Sequence, residues 1–573
     1  MTQNHPGAGA SGAADVAQTR RDVRRDDPRA RMWVAAVAVA GALAARFLAR
    51  DALDDVPHVM DEIAYLLQAR TFAMGRLVAD VALPRGAFTM WFVDDRWARF
   101  SIFPPGWPAV LAIGVFLRAP FWVNPILHGM TTWWVGRAAF ACGGTRARTI
   151  AAAVYALSPQ ALILAASLMS HTLVALAGAV VVAVSVEAIR GSIRARSLVA
   201  AGAAVGITVL TRPLCACALA VALGVALVIA RTPWRLAAVV TAPLAAAVVL
   251  LGAYNAALTG RAARFPQSAY FDEHVPPSDD PVFHYHPGCN DLGFGPERGC
   301  DGGIRGSHDA ANALSNTGDN LRAWLLLAGG GPLAFVAAGA ALVAARDRQP
   351  GTRGARRARA FLLVPAVAVI GLYALYWYAG TCYGARFYHA ALPGLLTLSA
   401  LGIARLRTTA RVAVALAAWL AINAAVTRAA RVELASMYWG TDSRFARLAA
   451  SWSERPAVVM VSFAPGLAPM PRLFWTSPLI QGGKWLLSIR ALGALGVNSP
   501  SLDGPVVFAK FHPALTGAIA RRFPDREAWL YVVTDDPARD RLVRYDAARD
   551  AEAPSAEVPD NFDGAIVGAG AAP

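Results

Sequence analysis

The sequence predicts an all-α polytopic membrane protein with about eleven transmembrane helices, interfacial helices in its first outer loop and a small C-terminal α/β domain outside the membrane. Three observations predict it. Of 573 residues, 56% are hydrophobic and 16% charged, whereas soluble globular chains carry roughly 25% charged residues. Apolar runs rich in Ala, Val and Leu recur from Met32 to Thr427, with the charges between them. The net charge of +16 sits as Arg in short loops between those runs. That is the positive-inside pattern, and it excludes the one-sided basic face of a nucleic-acid binder.

Residues 1–31 are polar, Gly/Ala-rich and Arg-rich. They read as a disordered cytoplasmic tail before a signal anchor, without a cleavable signal peptide. The first span is expected at Met32–Ala49; Arg20, Arg21, Arg24, Arg25, Arg29 and Arg31 before it keep the N-terminus inside. The loop 50–103 is then outside. Pro104 to Ala119 is apolar but short, and it opens on Pro104-Pro105-Gly106-Trp107-Pro108. It reads as an interfacial or re-entrant helix with Trp107 near the headgroups.

Charge parity supports that reading. With Pro104–Ala119 not spanning, spans follow at Phe121–Ala141, Ile150–Ala166, Leu173–Ile189, Leu198–Leu210, Leu214–Ala230 and Leu236–Ala256. Four more are expected at Leu321–Ala345, Ala360–Ala379, His389–Ala404 and Arg411–Val426. The inner loops then hold Arg146/Arg148, Arg190/Arg194/Arg196, Arg231/Arg235, the Arg346–Arg359 cluster and Arg405/Arg407/Arg411. One more span would move every group outside, against the bias. The membrane domain is thus 32–428, with a second outer loop at 258–320.

Residues 429–546 read as the small α/β domain. Asp442–Trp452 is helical, with Asp442 as a possible N-cap. Val458–Phe463, Val506–Ala509 and Trp529–Val533 are β-rich runs punctuated by Gly and Pro. Residues 547–573 read as a disordered tail. Cys142, Cys215 and Cys217 read as small core hydrophobes. Cys289 and Cys300 share a polar loop, and bonded and free states are both open.

Candidate chemistry gathers on the outer side. In His58-Val59-Met60-Asp61-Glu62-Ile63-Ala64-Tyr65-Leu66-Leu67-Gln68-Ala69-Arg70, two acids precede a helix-like stretch. Adjacent helical residues point about 100° apart, so one of Asp61 and Glu62 suits a general base and the other an orienting role. The plainer alternative is electrostatic support of a helix N-terminus. Arg212, in Thr211-Arg212-Pro213, and Arg386, in Tyr383-Gly384-Ala385-Arg386-Phe387-Tyr388, are outer arginines that oppose the charge bias. Each suits an anionic partner such as a phosphate, with snorkelling as the alternative. Tyr65, His171, Tyr383 and Tyr388 are candidates for binding or orienting a substrate.

The second outer loop holds His274, His284, His286, His308, Asp272, Glu273, Asp279 and Asp280. A divalent metal is conceivable there, but no HExxH or clustered-Cys pattern supports it, so no cofactor is assigned.

These residues resemble the membrane glycosyltransferases with the C-type superfold, in particular the protein O-mannosyltransferase and aminoarabinose transferase group. Asp61-Glu62 after the first span and Phe103-Pro104-Pro105-Gly106-Trp107-Pro108 later in that loop carry the resemblance, with the shorter outer motifs, over roughly Met32 to Val426. It implies a polyprenyl-phosphate sugar donor, an extracytoplasmic acceptor (lipid, glycan or protein) and inversion at the anomeric carbon. It further implies Asp61 as catalytic base, Arg386 at the donor phosphate and a multi-pass place in a bacterial inner membrane. No Lys stands beside Pro104-Pro105, unlike the family's common pattern. The rival reading is a transporter or lipid flippase. Those place ionisable groups near the midplane and often show repeats; here the groups gather at outer span ends.

Overall fold

The computed structural model describes residues 27–274, 308–343, 353–376, 382–435, 441–463, 493–534 and 537–545. Cys289, Cys300, His284, His286, Asp279, Asp280, the tail 547–573 and nearly all of the N-terminal tail lie outside the described residues, as do the side chains of Asp272, Glu273 and His274.

The described chain is mainly helical. Helix α1 (Pro28–Ala52) starts at Asp27, whose carboxylate accepts from the Arg29 N–H. Helix α2 (Met60–Ala73) carries both candidate acids, and α3 (Gly106–Phe116) follows it in the first outer loop. The order continues with α4 (Val123–Ala156), α5 (Pro159–Ala166), α6 (His171–Ile189), α7 (Ala195–Val209), α8 (Pro213–Ile229) and α9 (Thr241–Thr259). Then come α10 (Ala310–Leu327), α11 (Pro332–Val343), α12 (Arg353–Phe361), α13 (Val364–Ala374), α14 (Leu392–Ile403) and α15 (Thr409–Ala435).

Among the described residues, five helical runs are long and apolar enough to cross a membrane, or seven if each bent pair counts as one. The expected count of about eleven is not reached by full-length helices, because the chain breaks several expected spans. The expected Ile150–Ala166 is divided at Leu157 between α4 and α5, where Pro159 opens a new helix capped by Ser158. The expected Leu321–Ala345 turns by 92° between α10 and α11. Three glycines with positive φ make that turn, and a Cβ on Gly330 would lie 2.4 Å from the Trp419 indole. Only glycine meets both demands. Asn423 of α15 then serves the exposed backbone: its side chain accepts from Gly330 N–H at 2.6 Å and donates to Leu157 O at 2.6 Å. Irregular backbone at membrane depth needs such partners.

Helix α3 meets the helical run Pro120–Ala156 at 118°, which suits the interfacial or re-entrant reading. Trp107 differs from expectation. It is 1% exposed and donates its indole N–H to Leu168 O at 2.8 Å, so it is a buried brace, not a headgroup anchor. Cys142 and Cys215 are buried as expected, but Cys217, two residues on and about 200° round α8, is exposed.

The C-terminal residues build helix α16 (Arg444–Ser451) and a four-stranded sheet of β3 (Ala457–Phe463), β4 (Val506–Lys510), β5 (Glu527–Val533) and β6 (Arg541–Arg544), preceded in the chain by the short hairpin β1–β2 (Val93–Asp94 with Phe100–Ser101). The order is β4-β3-β5-β6, parallel except for β6. Sequence reading missed β6, a mostly exposed edge strand in which Arg541 and Arg544 bracket Leu542 and Val543. Ser443 directly precedes α16 but makes no side-chain capping bond; the carboxylate of Asp442 supplies it, accepting from Arg444 N–H at 2.9 Å, and also pairs with the Arg444 guanidinium at 2.7 Å. Central β3 is buried on both sides, as parallel strands are. Val459 and Val461 pack with Phe445 and Phe508, while Val458 and Met460 share a core with Ile63, Leu67 and Phe88.

Candidate functional site

The site forms where α2 meets two interruptions of the helical bundle. The first is the non-helical link Ser167–Ser170 between α5 and α6. Its polar backbone is met by side chains: Glu62 accepts from Leu168 N–H at 2.6 Å, Trp107 donates to Leu168 O, and Asn124 donates to Ser167 O at 2.7 Å and Met169 O at 2.9 Å. Fixed in this way, the link presents Ser170 and His171. The second interruption is the turn Cys382–Arg386. Tyr383 and Gly384 both have positive φ there. Gln160 of α5 clasps the turn, donating to Tyr383 O at 2.7 Å and accepting from Ala385 N–H at 3.1 Å.

Glu62 is the keystone between the two. It is 1% exposed and accepts from His58 N–H (2.8 Å), Val59 N–H (3.1 Å), Leu168 N–H and the Tyr383 hydroxyl (3.0 Å). The bond from the Val59 N–H, just before the helix, is half of a capping box. Burial raises the Glu62 pKa against the lowering effect of those N–H donors. Both of its oxygens are engaged by protein donors, which suits the orienting member of the acid pair.

Asp61, one residue earlier, has its own direction. Its carboxylate lies 3.9 Å from Arg386 Nη1, and both side chains are largely enclosed. The guanidinium carbons of Arg386 and Arg212 each stand 5.0 Å from the centroid of the Phe387 ring, so one aromatic spaces two cations. Arg212 Nη1 donates to Ser170 Oγ at 3.3 Å, and Ser170 Oγ is 3.5 Å from the Tyr65 hydroxyl. Burial, with the charge of Asp61, pushes the Tyr65 phenol up to about 12, so it stays protonated. Arg386 Nε and Nη1 and Arg212 Nε are buried with no hydrogen-bond partner among the described residues. Buried cationic donors without acceptors are uncommon and point to a ligand that brings its own oxygens.

The other expected residues are placed as follows. His171 is buried against Phe387, with ring centroids 5.8 Å apart and both ring nitrogens without hydrogen-bond partners among the described residues. Tyr383 is tied to Glu62, so it orients protein groups. Tyr388 packs edge-on against Trp324 at 5.9 Å, which joins it to the core around α10. His308 sits apart, with Nε2 3.2 Å from Ala374 O. Among the described residues no group of three or more His, Cys, Asp or Glu could hold a metal ion. Sequence reasoning missed Gln160, a single polar residue within an apolar run, whereas Ser170 stands in the polar triplet Ser170-His171-Thr172 between two expected spans.

No protein-family profile matches the chain, and no curated protein matches it in sequence. Among solved structures it is similar to ArnT from Cupriavidus metallidurans in the apo state, with a TM-score of 0.50 at 14% identity over 90% of this chain and 98% of that one. The same protein bound to undecaprenyl phosphate gives 0.49 at 15% identity, over 87% and 93% of the two chains. The Archaeoglobus fulgidus oligosaccharyltransferase AglB, with an inhibitory peptide and a dolichol-phosphate, gives 0.40 at 14% identity, over 87% and 69%. The likeness to apo ArnT is one of fold, and at the level of fold it bears out the resemblance to the C-type superfold.

Proposed function

We propose that the protein is an inverting glycosyltransferase that moves a sugar from a polyprenyl-phosphate donor to an extracytoplasmic acceptor. The observation that carries the reading is the 3.9 Å approach of Asp61 to Arg386, beside a second guanidinium at Arg212. An acid and two cations with unused donors are the parts that this displacement needs.

In the proposed step the acceptor oxygen or nitrogen attacks the anomeric carbon on the face opposite the lipid phosphate. The new bond to the sugar forms as the bond from carbon to phosphate oxygen breaks, and that oxygen keeps the electron pair. Asp61 takes the acceptor proton. Arg386 and Arg212 stabilise the charge that grows on the departing phosphate. Glu62 holds α2 against Leu168 and Tyr383, which fixes the height of Asp61 over the guanidinium pair.

Mass spectrometry of envelope glycans and lipids, with and without the protein, tests the reading. A glycan or lipid sugar that vanishes without the protein, and stays absent when Asp61→Asn is supplied at normal abundance, is the expected result. An unchanged envelope, or full restoration by Asp61→Asn, contradicts it.

A further inference from the structure

The sheet unit grips α2 at both of its ends. Before its first turn, Thr441 Oγ1 donates to His58 O at 3.3 Å, and Ser443 Oγ donates to Asp54 at 2.8 Å. In its last turn, Arg70 Nη1 reaches three carbonyls of one turn in the C-terminal residues: Gly496 O at 2.7 Å, Asn498 O at 2.9 Å and Val497 O at 3.4 Å. Those carbonyls close a short helical turn whose own bonds run from Val497 N–H to Ala494 O and from Asn498 N–H to Leu495 O. A cation is the natural cap for such an end. The turn is itself anchored. Asn498 is buried and makes two 2.8 Å bonds to the backbone of Phe508 in edge strand β4. Between the two grips, Val458, Met460, Val507 and Ala509 share the core of Ile63, Leu66 and Leu67.

We infer that the C-terminal sheet unit is a working part of the site, and that Arg70 is the positioning residue through which it sets the axial place of the Asp61 helix. Arg70 lies eight residues beyond Glu62, roughly 12 Å along the same helix, so it touches neither the acid pair nor the guanidinium pair. A lever of that length turns a small tilt at Arg70 into a shift of Asp61 relative to Arg386. Misplacement on the order of 1 Å is enough to lower transfer about a hundredfold. A lysine in place of Arg70 keeps a charge and several donors and serves part of the carbonyl cluster; a methionine serves none of it.

This inference rests on the proposed transfer, and the test separates the two. Hydrogen–deuterium exchange of the full-length protein in detergent is compared over residues 58–73 and 171–189 for wild type, Arg70→Met and Arg70→Lys. The same variants are scored for the envelope product that depends on the protein. Expected are about tenfold faster exchange at 58–73 in Arg70→Met with 171–189 unchanged, a loss of product at normal protein abundance, and recovery of both in Arg70→Lys. Should Arg70→Met not accumulate, Arg70→Gln, which keeps a donor, carries the comparison. Unchanged exchange at 58–73, equal acceleration at 171–189, or undiminished product despite loosened exchange overturns the inference. A wild type that makes no product refutes the transferase instead, and the exchange data then decide the grip alone.

Discussion

The Asp61 carboxylate sits 3.9 Å from the Arg386 guanidinium without a direct hydrogen bond between them, while Arg386 Nε and Nη1 have no hydrogen-bond partner among the described residues. Asp61 thus holds the place beside a cation that a phosphate oxygen would take. Attraction at that range is substantial in a partly enclosed site, about 4 kcal/mol at an effective dielectric of 20. In the proposed transfer, a bound lipid phosphate would compete for Arg386 and leave Asp61 free to accept a proton.

Arg386→Ala should weaken binding of undecaprenyl phosphate by about 10- to 150-fold, the equivalent of one charged hydrogen-bond set of roughly 1.5–3 kcal/mol. Arg212→Ala should weaken it in the same direction. Arg386→Lys should recover only part of the loss, because an ammonium does not reproduce the planar fork. Titration of the purified variants with undecaprenyl phosphate, read by native mass spectrometry, checks all three.

Glu62 should give the protein a pH signature. Its pKa is raised in the folded state by burial, so the folded protein holds a proton that the unfolded chain releases near the ordinary value of about 4.5. The stabilisation from that proton is complete below the ordinary value and is lost as pH rises through the raised folded value. Melting temperatures taken in detergent from pH 5 upward should therefore fall with pH in wild type. The slope should flatten in Glu62→Gln, which has no proton to lose, although Glu62→Gln starts lower because an amide serves four donors poorly. An identical slope in both proteins would show that another group titrates.

Gly384→Ala should destabilise by about 1–3 kcal/mol and should loosen the guanidinium site. Gly384 has φ +71°, and a Cβ there would lie 2.4 Å from both Gln160 Oε1 and Leu327 Cδ1. The clasp of Gln160 on Ala385 must open to admit it, and Arg386 follows one residue later. A lowered melting temperature together with weaker undecaprenyl phosphate binding is expected.

Asp61→Asn should keep the fold and lose roughly a hundred- to ten-thousandfold of transfer, the range that a positioned base supplies. The comparison is product formed per amount of purified protein.

Much of this fold was legible because membrane burial writes long messages. Runs such as His171–Ile189 are apolar on every side, and such runs stand out whatever their neighbours. The breaks were less legible. Pro159 and Gly329-Gly330-Gly331 lie inside apolar stretches, and hydropathy passes over them; their partners Ser158, Gln160 and Asn423 are single polar residues whose purpose shows only once distant backbone is beside them. Asp61, Arg212 and Arg386 stood out because each is a charge where charge is expensive. Glu62 could not be separated from Asp61 in sequence, since adjacent acids look alike until one is seen filled with donors. Trp107 misled for a related reason: an aromatic near a membrane surface serves equally well as anchor and as core, and here it is core.

The most direct test is to titrate Asp61→Asn and Arg386→Ala side by side with undecaprenyl phosphate. If the two side chains meet at the phosphate, their effects have opposite signs: removing the Asp61 charge tightens binding by about fivefold or more, and removing Arg386 weakens it. Effects of the same sign, or affinities that match wild type in both variants, would contradict a shared phosphate site.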